Sequence, residues 1–293
     1  MSESNASPAR TADDTRTYRR HVEETATALR EQLSTVPSIA LVLESGIGRP
    51  DEGLAEARTW RLRDLPHGPS DTEGPERTLS VGSFESTPLF TLEGALSLHE
   101  GVTPYEVAFP VRVLAEAGVE TILFVNTAGS VDPVIETDSL VLATDHINFQ
   151  GRNPLVGPNV DDWGPRFPDM TSPYDPALRA AAEEAALRHG IKLHEGIYFA
   201  MLGPNAGTRA EYRMIQSLGA NIVGTSTVPE VIAARHMGVQ VLALSVVTEQ
   251  CLFREGTSSS DQPDASGSAM RPRLQVLFQT LIEEDMNGTG AKA

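Results

Sequence analysis

The sequence predicts one α/β domain, built on a mixed, largely parallel sheet with helices on both faces. Apolar runs of strand length recur along the chain, and helical patterns separate several of them. Such alternation is typical of parallel strands that are connected by helices. The length of 293 residues, of which 40% are hydrophobic and 22% charged, suits one large hydrophobic core.

The elements are predicted in order along the chain. Residues 1–15 are polar and small, which predicts a disordered tail; the domain is expected to span 16–287, with a flexible end at 288–293. Apolar residues at helical spacing predict a first helix from Tyr18 to Leu33. Strands are predicted at the runs PSIALVLESGIG, TLSVGSF, PLFTLEG, TILFVNTAG, DSLVLATDHIN, EGIYFAML, ANIVGTSTV and QVLALSVVT. Further helices are predicted at 103–118, 176–189, 208–218 and 229–237, and from about Pro272 to Asp285.

Two segments are longer than ordinary connections. They span 61–77 and 149–175, and the second is rich in Pro, Gly and Asp. Long loops inside compact domains are usually functional, so we expect lids or rims of a binding site here. A third segment, 254–268, is expected to be mobile.

Composition excludes several classes of function. The formal charge is -17, and so acidic a surface repels nucleic acid and anionic membranes. Cys251 is the one cysteine, which rules out an internal disulfide and favours a reducing compartment. No secretory leader or membrane-spanning run is recognisable, so we expect a cytoplasmic protein.

Ligands of such folds bind where loops leave the carboxyl ends of the strands. The corresponding segments are 44–48, 126–130, 201–208, 224–227 and 248–251. We therefore expect the binding site to be assembled from these five segments.

Small polar residues in two of these segments could bind an anion. Ser45, with Gly46 and Gly48, forms either a phosphate cradle or an ordinary turn, because the run lacks the full G-x-G-x-x-G pattern. The hydroxyls of 225–227 bind an oxyanion or a sugar, or satisfy turn amides. Their place at the end of a strand favours ligand binding.

Two titratable side chains are candidates for acid or base chemistry. His99 follows a strand-like run, where it is either functional or structural. Glu249 follows the apolar run QVLALSVVT, and burying a carboxylate is costly unless it is paired, which indicates a ligand contact or an ion pair. The histidines show no metal-binding spacing, so neither a metal nor a cofactor is predicted.

Several runs resemble one known family. They are VAFPVRVLAEAGVETILFVNTAGSV, DSLVLATDHINFQGRNPLVGPN, RFPDM, MLGPNAGTRAEYRMIQSLGANIVGTSTVPEVIAARHMGV and LSVVTEQ. In this order, over about residues 38–251, they resemble the trimeric purine nucleoside phosphorylases and methylthioadenosine phosphorylases. The resemblance implies a twisted mixed sheet with flanking helices and metal-independent phosphorolysis of purine nucleosides.

The resemblance also implies a phosphate site, and its cationic positions have changed. Ser45, Thr127 and Ser226 occupy hydroxyl or amide positions of that site. Ala95 stands where the family has an Arg, and Ser97 stands where it has a His. Charge-assisted hydrogen bonds contribute about 1.5–3 kcal/mol each, so phosphate binding should be weakened by several kcal/mol.

Three further substitutions affect the same part of the site. Pro75 or a loop neighbour replaces a second His, and His99 replaces a sugar-binding Tyr. Glu44 replaces the first Gly of a G-S-G turn and brings a negative charge that opposes an anion. Ordinary phosphorolysis is therefore expected to be impaired or absent, unless Arg77, Arg152 or a neighbouring subunit supplies a cation.

The purine site implied by the resemblance is altered as well. Ala206 and Gly207 replace a Phe and a Glu, which predicts a wider, less charged cavity. Glu249 stands where the family has Asn or Asp, and a carboxylate favours ligands that present an amino group. Thr225 replaces a Met that contacts the sugar, and Val223 completes the predicted substrate contacts on this strand.

The family also implies a homotrimer with active sites at subunit interfaces. Phe167, in the run RFPDM, matches a Phe that a neighbouring subunit contributes over the sugar. We therefore expect a small-molecule ligand, either nucleoside-like or of another class, and other copies of this chain as partners.

Three functions remain open on the sequence alone. The first is an enzyme repurposed for phosphate-independent chemistry on a larger or less polar molecule: hydrolysis, rearrangement, cyclisation or elimination, with Glu44, His99 and Glu249 as acid and base. The second is a remodelled phosphorylase that prefers 6-aminopurine nucleosides. The third is a binding or regulatory protein that has lost catalysis.

Overall fold

A computed structural model describes residues 11–44, 55–70, 76–84, 87–252 and 270–282. Ser45, Gly46, Gly48, Pro75, the segment 254–268 and the chain end at 288–293 lie outside the described residues. The strands are β1 (Ile39–Leu43), β2 (Ala55–Arg61), β3 (Thr78–Phe84), β4 (Thr87–Glu93), β5 (Thr121–Ser130), β6 (Leu140–Asn148), β7 (Leu193–Ala200), β8 (Ile222–Gly224) and β9 (Gln240–Gln250). The helices are α1 (Ala12–Arg30), α2 (Pro104–Ala117), α3 (Pro176–Arg188), α4 (Arg209–Ser217), α5 (Val228–His236) and α6 (Arg271–Thr280).

The described strands form one mixed sheet in the order β2-β3-β4-β1-β5-β8-β7-β6-β9. β9 also pairs with β5, so the last five strands close into a ring. Strands β1, β4, β5 and β9 run parallel, whereas β2, β3 and β4 form an antiparallel meander. The predicted mixed sheet is confirmed, and it is less strongly parallel than expected, because β8 also pairs antiparallel with β5 and β6 with β9.

Helices pack on both faces of this sheet, as the alternation of elements predicts. Residues from α1, α2 and α5 share one apolar cluster with one face of the sheet, and α3 and α6 share another cluster with the opposite face. The described helices include no segment long and apolar enough to cross a membrane.

The first helix begins earlier than the sequence predicts. The Thr11 hydroxyl accepts the N–H of Asp14, and the Asp14 carboxylate accepts the N–H of Thr11, so the free amides of the first turn are satisfied. The helix therefore starts at Ala12 rather than Tyr18, and its first turn overlaps the predicted tail.

Two other differences concern strands and loops. β2 was not predicted, because its run AEARTWR lacks the apolar pattern of a buried strand; it lies at the edge of the sheet. Its last residue and a short 3₁₀ turn at Leu62–Asp64 occupy the start of the predicted loop 61–77. The segment 149–175 has neither helix nor strand, as expected.

Candidate active site

The first part of the site lies where β1 and β5 end side by side. Glu44 follows β1 directly, and its Oε2 accepts two hydrogen bonds from Thr127 of β5, one from the backbone N–H at 2.6 Å and one from the hydroxyl at 2.9 Å. The Ser226 side chain lies close enough to this carboxylate to lower its pKa slightly. Burial raises the pKa of Glu44 above its usual value, although these hydrogen bonds and the charge of His99 act in the opposite direction. Glu44 is therefore a carboxyl group that holds a proton more readily than an exposed one.

A buried chain of polar groups stands behind Ser226. The Ser245 hydroxyl donates to Asn126 Oδ1 at 2.7 Å, and Asn126 Nδ2 donates to the Thr227 hydroxyl at 2.8 Å. The Ser226 and Thr227 hydroxyls are 3.2 Å apart, and Thr227 has a left-handed φ of 67°. Such backbone strain persists only where the surroundings hold it, and this hydrogen-bonded chain fixes the Ser226 hydroxyl beside Glu44.

His99 lies near Glu44 on a separate segment of the chain. It is exposed, belongs to a short 3₁₀ turn and is close enough to Glu44 for its charge to act on that carboxyl group. A Cβ added to Gly203 would lie 3.1 Å from the Thr225 methyl group and 3.6 Å from the His99 Cβ. The structure thus brings together five of the predicted site residues: Glu44, His99, Thr127, Thr225 and Ser226.

Glu249 belongs to a second wall, formed by the ends of β5 and β9. It pairs in register with Gly129, and a Cβ at that glycine would lie 3.5 Å from Glu249 Oε1 and 2.3 Å from the Cys251 sulfur. Cys251 shares an apolar cluster with Val223 and Tyr212. Gly129 therefore leaves the room that these two side chains need.

Gly207 faces Tyr212 in the same region. Its N–H donates to the Tyr212 hydroxyl at 2.9 Å, and a Cβ at 207 would lie 2.8 Å from the tyrosine ring. The expectation of a wider cavity here is therefore corrected, because the Tyr212 ring fills the space beside Gly207. Ala206 is exposed on the loop that precedes α4.

Arg77, which the sequence analysis offers as a replacement cation, is paired with a carboxylate. Arg77 forms a buried ion pair with Glu100, and Glu100 also accepts the backbone N–H of Ser97 at 2.8 Å. Ser97 itself is buried. The charge of Arg77 is thus balanced by Glu100 beneath the segment that carries Ala95.

Phe167 lies in a different place from the other predicted residues. Its side chain is 87% exposed and lines a groove of about 500 Å³ together with His146, Leu155 and Met170. Glu44, His99 and Glu249 are not among the residues that line this groove. Within one chain, therefore, the structure does not bring Phe167 to the candidate site.

Two buried residues next to the site were missed by the sequence analysis. Glu230, in the first turn of α5, is 1% exposed, and burial, together with the nearby charge of Glu44, raises its pKa to about 8. Tyr198 of β7 packs against Gly224, and its hydroxyl accepts the N–H of Ser226 at 3.4 Å. Glu230 lies in the run STVPEV, but a glutamate in a first helical turn is commonly a surface residue, so the pattern did not mark it. In the described part of the chain, no cluster of His, Cys, Asp and Glu is suited to a metal ion.

Comparison with known proteins identifies the fold family. A family model described as the phosphorylase superfamily matches residues 38–283. The chain belongs to this superfamily. It is 38% identical to purine nucleoside phosphorylase 1 of Bacillus subtilis over 265 residues, which covers 89% of this chain and 96% of the relative. The mouse purine nucleoside phosphorylase is 39% identical over 271 residues, with 89% and 93% covered.

Solved structures agree with this assignment. An isoform 2 purine nucleoside phosphorylase from Schistosoma mansoni, in complex with cytosine and ribose-1-phosphate, has a TM-score of 0.85 and 31% identity, with 91% of this chain and 96% of that one covered. A purine nucleoside phosphorylase from the same organism, solved with adenosine, has a TM-score of 0.84 and 31% identity, with 91% and 97% covered. The predicted family and fold are confirmed, and the chain is a purine nucleoside phosphorylase-family enzyme. The names of these relatives are those of ordinary phosphorylases and indicate no change of chemistry.

Proposed function

We propose that this family member transforms a neutral or cationic small molecule by acid and base chemistry that does not use phosphate. One observation carries the proposal: the Glu44 carboxylate takes the backbone and hydroxyl hydrogen bonds of Thr127. Thr127 stands at a position that the family resemblance assigns to the phosphate site. An internal carboxylate thus occupies donors that an inorganic phosphate would need.

Electrostatics support the same proposal. A phosphate placed on these donors would lie within a few ångströms of the Glu44 carboxylate, and like charges at that distance repel strongly in a partly desolvated site. Arg77 is balanced by Glu100 and offers little compensation. A neutral or positively charged ligand avoids this repulsion.

The titratable groups fit proton transfer. Glu44, with its raised pKa, lies close enough to His99 for their charges to interact. One of the two side chains could therefore donate a proton while the other accepts one. Glu249, on the second wall, would accept a hydrogen bond from an amino or hydroxyl group and so orient the ligand. These roles suit hydrolysis, rearrangement, cyclisation or elimination.

The test is whether turnover requires phosphate. Adenosine and methylthioadenosine are incubated with the enzyme in phosphate-free buffer and in buffer with added phosphate, and the products are separated by chromatography. Release of adenine with free sugar at equal rates in both buffers supports the proposal. Phosphate-dependent release of adenine with a sugar phosphate would refute it.

A remodelled phosphorylase is the second candidate, and a specific observation favours it. All the relatives described above are phosphorylases, and a Schistosoma mansoni relative was solved with adenosine. Glu249 would suit the amino group of such a ligand. The same experiment separates the two candidates, because only a phosphorylase forms the sugar phosphate.

The proposal includes a homotrimer in which Phe167 reaches a neighbouring copy. Its 87% exposure, on a groove lined by apolar and polar side chains, supports a contact with another chain. Light scattering after size-exclusion chromatography measures the mass directly. A cytoplasmic location remains a prediction, supported by the single cysteine.

A further inference from the structure

The contact between Gly207 and Tyr212 fixes the shape of the second wall. Tyr212 lies in the first turns of α4, and its ring folds back against the loop that precedes the helix. A Cβ at position 207 would come within 2.8 Å of the ring Cε1 and 3.0 Å of Cζ, which is too close for any side chain. Tyr212 is only 4% exposed, so the ring has little freedom to move aside.

The tyrosine hydroxyl is held by the loop that precedes the helix. It accepts the N–H of Gly207 at 2.9 Å, and the ring shares an apolar cluster with Cys251. Burial raises the pKa of Tyr212, and the nearby Cys251 and Glu249 raise it further, so the phenol stays protonated. The ring thus closes the space between the 203–208 loop and the end of β9.

We infer that Tyr212 is a specificity-determining residue, which closes the recess behind Glu249 and limits how far a ligand can extend there. Glu249 and Cys251 both lie beside Gly129, and Cys251 shares an apolar cluster with Tyr212, so the three side chains are neighbours on this wall. A ligand group bound to Glu249 meets the Tyr212 ring directly beyond it. Amino groups are accepted at this wall, whereas bulky extensions of the same amino group are excluded. The inference rests on the proposed binding role of Glu249, and it is independent of the reaction.

Two ligands that differ in the size of their amino substituent test how far a ligand can extend beyond Glu249. Isothermal titration compares adenine with N6-benzyladenine, whose benzyl group extends from the amino group expected to face Glu249. The wild-type enzyme should prefer adenine at least tenfold, and Tyr212→Ala should gain N6-benzyladenine affinity by at least tenfold. Tyr212→Phe keeps the ring and should retain the wild-type preference, which makes it the matched control. Tyr212→Leu keeps part of the apolar volume and replaces the alanine variant if that variant does not fold.

A second readout tests the contact without any ligand. Gly207→Ala should lower the melting temperature by several degrees in the wild-type background and by much less in Tyr212→Ala, because the colliding ring is then absent.

The outcomes are decisive for this inference. If neither small variant gains affinity for N6-benzyladenine, the specificity role of Tyr212 is refuted. If wild-type enzyme binds neither purine but Tyr212→Ala binds N6-benzyladenine, the recess is confirmed and only the proposed preference for an unsubstituted amino group fails.

Discussion

The carboxylate of Glu44 accepts both the backbone N–H and the hydroxyl of Thr127, at 2.6 and 2.9 Å. Under the proposed assignment of Thr127 to a former phosphate site, these two donors are satisfied by a side chain of the protein itself rather than by an external anion.

Replacing Glu44 should return the donors to solvent and to phosphate. In Glu44→Gly the backbone N–H and hydroxyl of Thr127 lose their internal acceptor, and we expect phosphate affinity, measured by isothermal titration, to rise at least tenfold. Glu44→Gln is the control, because its amide oxygen still accepts from Thr127 while the charge is gone, and it should give a smaller gain. Unchanged phosphate affinity in the glycine variant would show that these donors do not form an anion site.

The buried carboxyl group of Glu230 should make stability depend on pH. Its folded-state pKa of about 8 lies above the usual value of 4.5, so the folded protein keeps a proton that the unfolded chain releases. The unfolded state then binds fewer protons, and stability falls as pH rises from about 4.5 to about 8.

The melting temperature measured between about pH 5 and pH 9 tests this assignment. Wild-type protein should lose stability with rising pH over this interval, and Glu230→Gln, which cannot ionise, should lose markedly less. Glu44 contributes in the same direction, because its pKa is also raised, so Glu44→Gln is measured alongside. Parallel curves for wild type and Glu230→Gln would contradict the assigned titration.

Site residues could be predicted from the sequence where a pattern of neighbouring residues marked them, and not where only distant residues meet. His99 and Glu249 were predicted because they lie near the ends of apolar strand-like runs, and the carboxyl ends of parallel strands meet at one edge. Glu44 was predicted from the family resemblance, because it replaces the first Gly of a G-S-G turn. The hydrogen bonds from Thr127 to Glu44 join residues 83 positions apart, and no spacing in the sequence reveals them.

Tyr212 shows why the cavity could not be predicted. A glycine at position 207, in place of a larger residue, predicts a larger cavity. The cavity volume, however, also depends on which side chain of the next helix packs against this position. The ring of Tyr212, the fourth residue of α4, packs against the preceding loop and fills the space beside Gly207. This contact depends on tertiary packing rather than on residue size. The fold, in contrast, followed from repeated apolar runs, and of the strands that the structure describes, the edge strand β2, whose run AEARTWR lacks such a pattern, was the one missed.

His99 should act on Glu44 as well as on the ligand. Its charge lowers the pKa of the Glu44 carboxyl group, so His99→Asn should raise that pKa further. The pKa is measured by NMR titration of ¹³C-labelled glutamate, with Glu44→Gln identifying the resonance. If His99 also transfers a proton, turnover of whichever nucleoside is a substrate should fall by about 10²-fold or more.

The matched control for this variant is His67→Gln. His67 is exposed and stacks on His21 at 3.8 Å between ring centroids, on the surface of α1. It should change neither the Glu44 titration nor turnover. An unaltered Glu44 titration in His99→Asn would remove His99 from the catalytic group.

The ion pair between Arg77 and Glu100 indicates that Arg77 has a structural role and does not bind phosphate. Arg77 is 4% exposed, and removing one partner of a buried pair leaves the other charge uncompensated, at a cost of about 3–5 kcal/mol. Arg77→Met should therefore lower the free energy of unfolding in urea by an amount in this range. Arg77→Met combined with Glu100→Gln removes both charges and should recover part of the loss. If Arg77 instead bound phosphate, the double variant would lose phosphate affinity relative to wild type, whereas a structural pair predicts an unchanged phosphate affinity.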